Sequence, residues 1–310
     1  AQSINETMDR LMSEGGVENE AWLRAVELSI LCCLPMAINT LIKLKVFDVM
    51  ANADIAKQEG MERELYSAEE IVSRMSSSVL PDAKMRVSIA LDRILRLVAS
   101  HGVVCADIAH DPFTKHPTRR YGLNLVSQYF VHNESSLAPL FHLCVSPILM
   151  KSWHVLHECI LDDGQPFAKA HDSLDLFEYG QLDSDFGSIF NTAMANYSIV
   201  PIRDLLDSYP TCFDNINILV DVGGGHGSSL HLIISRFPHI RGINFDQPHV
   251  ISLAPKYSGR PLWQADLMYD IMNFKFGEEL IHNKRCSFVS FYDFYSSLAL
   301  TLNRNRACSW

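Results

Sequence analysis

The apolar positions of this 310-residue chain follow two rhythms. Three-and-four spacing dominates the first two hundred residues, and short unbroken β-branched runs appear beyond residue 216. Residues 21–51 form a long helical pattern, expected to be interrupted at Pro35. Leu28, Leu31, Leu34, Ile38, Leu41, Ile42, Val46 and Val49 cover more than one side of it. A helix apolar nearly all round is buried, often against another chain. Ser67 and Glu70 have the spacing of a capping box and open a short helix to Met75. Residues 85–100 predict another helix, in which Ile89, Leu91, Ile94, Leu95, Leu97 and Val98 alternate with Arg86, Arg93 and Arg96. His101-Gly102 stops it. Residues 103–105 and 120–123 read as paired strands, so helices followed by a hairpin complete a winged-helix pattern. Residues 1–20 are polar and expected to be disordered.

A helix over 149–161 ends at Asp162-Asp163-Gly164-Gln165-Pro166. The next, over 185–206, carries Phe186, Phe190, Met194 and Tyr197 at spacings of four, four and three, which puts them on one narrow face. Such a stripe serves either as core or as the wall of a pocket for a flat ring. Residues 216–222 are a buried-strand run, followed at once by Gly223, Gly224, Gly225 and Gly227. A helix over 228–237 presents Leu230, Ile233, Ile234 and Phe237 on one side, Pro238 ends it, and 243–245 is a second strand closing on Asp246. Strand, glycine turn, helix and strand make the first half of a nucleotide-binding α/β fold. The dinucleotide fingerprint requires a third glycine where this chain has Ser228. D-x-G-x-G-x-G, counted from Asp221, fits better and points to a nucleoside ligand whose ribose hydroxyls Asp246 can accept. A plain βαβ turn, with glycines used only for geometry, is the alternative.

Charge narrows the partners. The chain has 26 Lys and Arg against 36 Asp and Glu, a formal net charge of −10, and no basic tract. That argues against nucleic acid and anionic membrane as partners, and against reading the winged-helix pattern as DNA-binding. No apolar run reaches the length of a membrane helix. The eight cysteines include no C-x-x-C pair. Cys32 and Cys33 lie on an apolar helical stretch and read as buried free thiols, so a reduced, cytoplasmic chain is expected. No cluster with metal-ligand spacing is evident, and no metal is expected.

LVDVGGGHGSS at 219–229, followed by INFDQPHVI at 243–251, resembles the plant phenolic O-methyltransferases of the caffeate type. Upstream, LDRILRLVASHGVV, RRYGL, LMKSWHVL, DDGQPF and LFEYG follow the same order, so the resemblance runs from about residue 25 to 259. It implies an α/β protein with a winged-helix dimerisation domain at 21–132, then substrate helices and a Rossmann-like domain at 133–259. A divergent tail at 260–310 is expected to leave the sheet incomplete. The resemblance also implies S-adenosylmethionine (SAM) as cofactor, held by Asp221, Gly223, Gly224, Gly225, Gly227 and Asp246, with Asp266 at the spacing of the family's adenine-side Asp. It implies a small aromatic acceptor against Phe186, Phe190, Met194 and Tyr197, and a homodimer. Anthranilate-type N-methyltransferases share these motifs, so acceptor oxygen and acceptor nitrogen both remain open. Gly180 and Tyr197 stand where caffeate-type enzymes often have His, and Leu143-Cys144 replaces a Met-Asn pair, so the pocket's shape is not carried over.

Beyond residue 259 the pattern departs. The family's W-x-x-H-D-W segment, whose His is the general base, is missing, and His282 stands in a different context. The catalytic base is therefore not identified. The tail has the look of an altered transcript. The expectation is a SAM-binding chain of low activity, or a non-catalytic dimerisation partner of full-length relatives. An NAD(P)-dependent oxidoreductase is disfavoured by Ser228.

Overall fold

The computed structural model describes residues 20–55, 65–75, 79–110 and 117–257, with backbone only at 53–55, 263–266 and 286–289. The disorder expected of residues 1–19 and the candidate His282 lie outside the described residues. The chain divides into two compact units, Ala1–Val131 and His132–Trp310.

The first unit contains α1 (Glu20–Ile30), α2 (Cys33–Lys43), α3 (Val46–Ile55), α4 (Ala68–Arg74), α5 (Lys84–Ser100), β1 (Val104–His110) and β2 (Pro117–Leu123). The helical pattern over 21–51, expected to break at Pro35, forms three helices, and Pro35 does not mark either break. Pro35 sits in the first turn of α2, where its missing N–H has no helical acceptor to lose. The chain turns instead at 31–32 and at 44–45, where Lys45 takes a positive φ of 55°. Ser67 and Glu70 form the capping box that starts α4. Glu70 also receives both N–H contacts of the Arg120 Nη2, at 2.8 and 3.1 Å, which ties α4 to the hairpin. β1 and β2 pair antiparallel over seven residues each, longer than the sequence pattern predicts. Leu41, Phe47, Ile71, Leu95 and Tyr121 fill the core. The Tyr121 hydroxyl donates to Asp92 Oδ1 at 2.7 Å, and burial followed by that bond pushes its pKa up.

One face of this unit departs from expectation. Ile38, Leu41, Ile42 and Val46 are buried, but Leu28 and Leu31 are exposed, along with Trp22 (63%), Leu23 and Ile30. Cys32 and Cys33 are exposed too, not buried as the apolar pattern predicts. Cys32 lies in the turn between α1 and α2 and Cys33 opens α2, on a face that no described element of this unit covers.

The second unit opens with helices: α6 (Ala138–Cys144), α7 (Pro147–His154), α8 (Leu156–Asp162), α9 (Pro166–Ala170), α10 (Leu176–Leu182) and α11 (Ser184–Ser208). The helix expected over 149–161 is split between α7 and α8 by Val155, at φ −102° and ψ 3°. Then come β3 (Ile218–Val222), α12 (Ser228–Arg236), β4 (Arg241–Asp246), α13 (Pro248–Leu253), β5 (Trp263–Asp266) and β6 (Cys286–Val289). All four strands are parallel, in the order β5-β4-β3-β6. Two segments of the divergent tail therefore enter the sheet, one on each side of the β3–β4 pair. Parallel strands are buried on both faces, which is why β3 and β4 read as nearly continuous apolar runs. α12 lays Leu230, Ile233, Ile234 and Phe237 against Leu219 and Ile240, and Ile202 and Leu206 of α11 close the same cluster. Strand order reverses at β3. In open α/β sheets such a switch point leaves a crevice beyond the carboxyl ends of the strands.

Candidate active site

That crevice holds a cavity of about 500 Å³, within the usual range for a small-molecule site. Its floor is the glycine turn. Gly223, Gly225 and Gly227 all have positive φ (72°, 57° and 78°), a conformation that other residues adopt only with strain. Gly224 is needed for a different reason. A Cβ there would stand 2.0 Å from Asn244 Oδ1 and 2.7 Å from Asp221 Oδ2. Neither side chain is free to swing: both are buried, and Asn244 Nδ2 donates to the Gly225 carbonyl at 2.9 Å. The turn is therefore bare backbone on its cavity side, held from beneath by a strand residue.

Asp221, Gly223, Gly224, Gly225 and Asp246 all line the cavity, while Gly227 caps α12 behind it. Asp246 Oδ2 accepts the Gly225 N–H at 2.7 Å and its Oδ1 accepts the Gln247 N–H at 2.7 Å, so the carboxylate is fixed at the lip of the turn. Asp266 pairs with Asp246 in the parallel register of β5 and β4. The Asp266 side chain lies outside the described residues.

α11 supplies the opposite wall. Phe186, Phe190, Met194 and Tyr197 all line the cavity, as their spacing predicts for one face. They also pack behind it: Phe186 is buried with Leu143 and Ala193, and Tyr197 leans on the cluster around Leu230. Core and pocket wall are here the same stripe. α10 completes this side with Leu176, Phe177 and Gly180. Its start is fixed by a capping box of Asp175 and Glu178 that the sequence reading did not use. Gln181 of α10 donates to Gln247 Oε1 at 2.6 Å, joining the aromatic wall to the strand wall.

Among the lining or supporting residues that sequence reasoning missed are His226, Asn244, Gln247 and His249, as well as Leu176 and Phe177. Asn244 had a visible signal, as a lone amide inside the apolar strand 243–245. His226 occupies a variable position of the turn motif and had none. Its Nε2 is buried with no hydrogen-bond partner among the described residues. Burial pushes its pKa down and the nearby Asp246 carboxylate only partly offsets this. Burial also lowers His231, which stacks on Tyr257 at 4.2 Å.

A pH dependence follows from these two rings. Their folded pKa values lie below the ordinary 6.5, so the unfolded chain binds more protons as pH falls through that value. Stability present above pH 6.5 is then lost on acidification. Scanning calorimetry of the ligand-free chain should show the melting temperature dropping from about pH 7.5 to about 5.5 more steeply than in His226→Gln. Equal slopes would show that His226 is not held neutral.

A helix-and-hairpin unit followed by a parallel sheet with a D-x-G-x-G-x-G turn at its switch point defines a Rossmann-like methyltransferase architecture. Family models agree at both ends: the O-methyltransferase dimerisation domain matches residues 26–133 and the O-methyltransferase domain matches 153–268. The chain is 36% identical over 258 residues to caffeic acid 3-O-methyltransferase 1 of Populus kitakamiensis, covering 83% of this chain and 67% of that one. It is 39% identical over 245 residues to caffeic acid 3-O-methyltransferase of Zea mays (78% and 64%). It is 35% identical over 244 residues to anthranilate N-methyltransferase of Ruta graveolens (78% and 63%). The chain belongs to the plant O-methyltransferase family that includes the caffeic acid enzymes, and it spans just under two thirds of the maize relative's length. Among solved structures, human N-acetylserotonin methyltransferase in complex with SAM shares the fold, with a TM-score of 0.60 at 13% identity over 79% of this chain and 65% of that one.

Proposed function

We propose that the cavity binds SAM and a small aromatic acceptor side by side, and that the chain's chemistry is methyl transfer to a phenolic hydroxyl or ring amine. The observation that carries this reading is the cavity's two-sided lining: a bare glycine turn with Asp221 and Asp246 on one side, rings and a thioether on the other. The cofactor side fits its ligand on three counts. A Cβ at Gly223 or Gly225 would meet nothing within 4 Å, so the bare backbone there is open to close approach by a ligand. Asp246 presents a fixed carboxylate suited to ribose hydroxyls. Ser228 stands where the dinucleotide fingerprint needs its third glycine, which argues for SAM over NAD(P). Bound there, SAM supplies an electrophilic methyl group on a sulfonium. The chain's own residues do the rest. Phe186, Phe190 and Met194 stack on a flat acceptor and hold it in line, and the apolar wall excludes water. His226 and His249 also line the cavity and are the described imidazoles there.

A second reading, a non-catalytic partner of full-length relatives, is favoured by the departure of the sequence from W-x-x-H-D-W beyond residue 259. Incubation with methyl-labelled SAM and a panel of phenols and aromatic amines separates the two. Label in any acceptor supports the enzyme. No transfer while S-adenosylhomocysteine still binds leaves the partner reading.

We also propose that the first unit forms a homodimer. Its support is the exposed apolar face of Leu28, Ile30 and Leu31, inside the matched dimerisation domain, continued by Trp22 and Leu23 just ahead of it. Obligate interfaces bury about 2,000 Å² or more. Light scattering at micromolar concentration should give twice the chain mass. A folded monomer would contradict the proposal.

A further inference from the structure

Two glycines line the cavity where α10 meets α11, and they are there for different reasons. A Cβ at Gly187 would stand 2.5 Å from the Gly180 carbonyl oxygen, so the helices could not touch with any other residue at 187. Position 180 has no such constraint. A Cβ there would stand 3.6 Å from Gly187 Cα and 4.0 Å from Phe186 Cδ1, which is ordinary contact. Glycine in a helix interior is destabilising relative to alanine, and packing within the protein gives no return for it at 180. What the missing side chain leaves is room on the cavity side. The surfaces around that room are apolar. Phe177, 48% exposed although it lines the cavity, meets Phe190 edge-on at 6.0 Å and 86°, with Leu176 beside it.

We infer that Gly180 opens an apolar recess between α10 and α11, and that the acceptor is an aromatic ring carrying a second apolar ring or a bulky apolar substituent seated there. This rests on the cavity being the acceptor site, as proposed above. A single-ring phenol fills the space over Phe186 and Met194 and leaves the recess empty. A fused second ring gains the faces of Phe177 and Phe190. Gly180 thereby sets specificity without touching the reacting atoms.

The test compares catechol with 2,3-dihydroxynaphthalene, titrated calorimetrically into the chain saturated with S-adenosylhomocysteine. Wild type should bind the naphthalene diol more tightly. Gly180→Leu should weaken the naphthalene diol by roughly tenfold or more and catechol far less, the scale for lost apolar contact in a pocket. Gly180→Ala should fall between and melt no lower than wild type, so it carries the test if the leucine variant does not fold. Gly187→Ala should instead lower the melting temperature. Equal weakening of both acceptors, no change in either, or no acceptor binding to the wild-type complex would each overturn the inference. Failure of S-adenosylhomocysteine itself to bind would overturn the SAM reading beneath it, and the two failures are told apart in the first titration.

Discussion

Replacing Gly224 with valine is expected to abolish measurable binding of S-adenosylhomocysteine. A Cβ at 224 already falls 2.0 Å from Asn244 Oδ1 and 2.7 Å from Asp221 Oδ2, and valine adds two methyl groups to it. Asn244 is fully buried and anchored on the Gly225 carbonyl, so the turn itself has to move. Overpacking of this kind costs about 1–3 kcal/mol in stability, and displacing the turn from the ligand costs affinity on top of it. A hundredfold loss, roughly 2.8 kcal/mol, is the least expected. Asp246→Ala should be milder, at about 1–3 kcal/mol, the scale of a hydrogen bond to a charged group. It has a second consequence, because it also releases the Gly225 N–H that Asp246 now holds at 2.7 Å. Thermal shift with and without S-adenosylhomocysteine separates the effects on fold and on ligand. Wild-type affinity in the folded Gly224→Val chain would mean that the ligand does not lie on the turn.

The second large effect concerns turnover. The 310-residue chain is expected to methylate a neutral phenol about 10²–10⁴-fold more slowly than a relative that carries the W-x-x-H-D-W segment, which is the range a positioned general base supplies. Proximity and orientation survive, because they come from the turn and from the α11 wall. The pH profile should then reveal the missing base. A phenol ionises near pH 10, so the residual rate should climb about tenfold per pH unit from neutrality upward, without a plateau near 7. A plateau at neutral pH, with an ordinary rate, would mean that an imidazole in the chain does the work. His226→Ala and His249→Ala would then be compared with His282→Ala, since the first two line the cavity and the third is the nearest His of the tail to the family's pattern.

The sheet-and-turn portion was legible because its signals are local. An unbroken apolar run, a glycine cluster and a 3.6-residue stripe each specify their element without reference to the rest of the chain. The Phe186–Phe190–Met194–Tyr197 face was legible for the same reason, although spacing alone could not say whether it backed a core or fronted a cavity. It does both. What remained hidden depends on pairing across the fold. Asn244 supports the turn only because β4 lies parallel beside β3, which brings it under Gly224 and Gly225. The four glycines look alike in the motif, yet three are required by backbone dihedral and Gly224 by steric exclusion. Pro35 misled because proline ends a helix from its interior but is neutral in its first turn. Cys32 and Cys33 misled because apolar neighbours announce burial without saying which chain provides it. Of the two strands in the tail, β5 lies inside the stretch that the O-methyltransferase model matches, to residue 268, so the departure expected at 259 was placed too early, whereas β6 lies beyond it.

The central claim is that the switch-point cavity is a SAM site, and its most direct test is a pair of calorimetric titrations of the intact wild-type chain. S-adenosylhomocysteine should bind saturably, one per chain, with the heat lost in Gly224→Val. NAD should give no saturable heat, because Ser228 replaces the third fingerprint glycine. Binding of NAD without binding of S-adenosylhomocysteine would contradict the account.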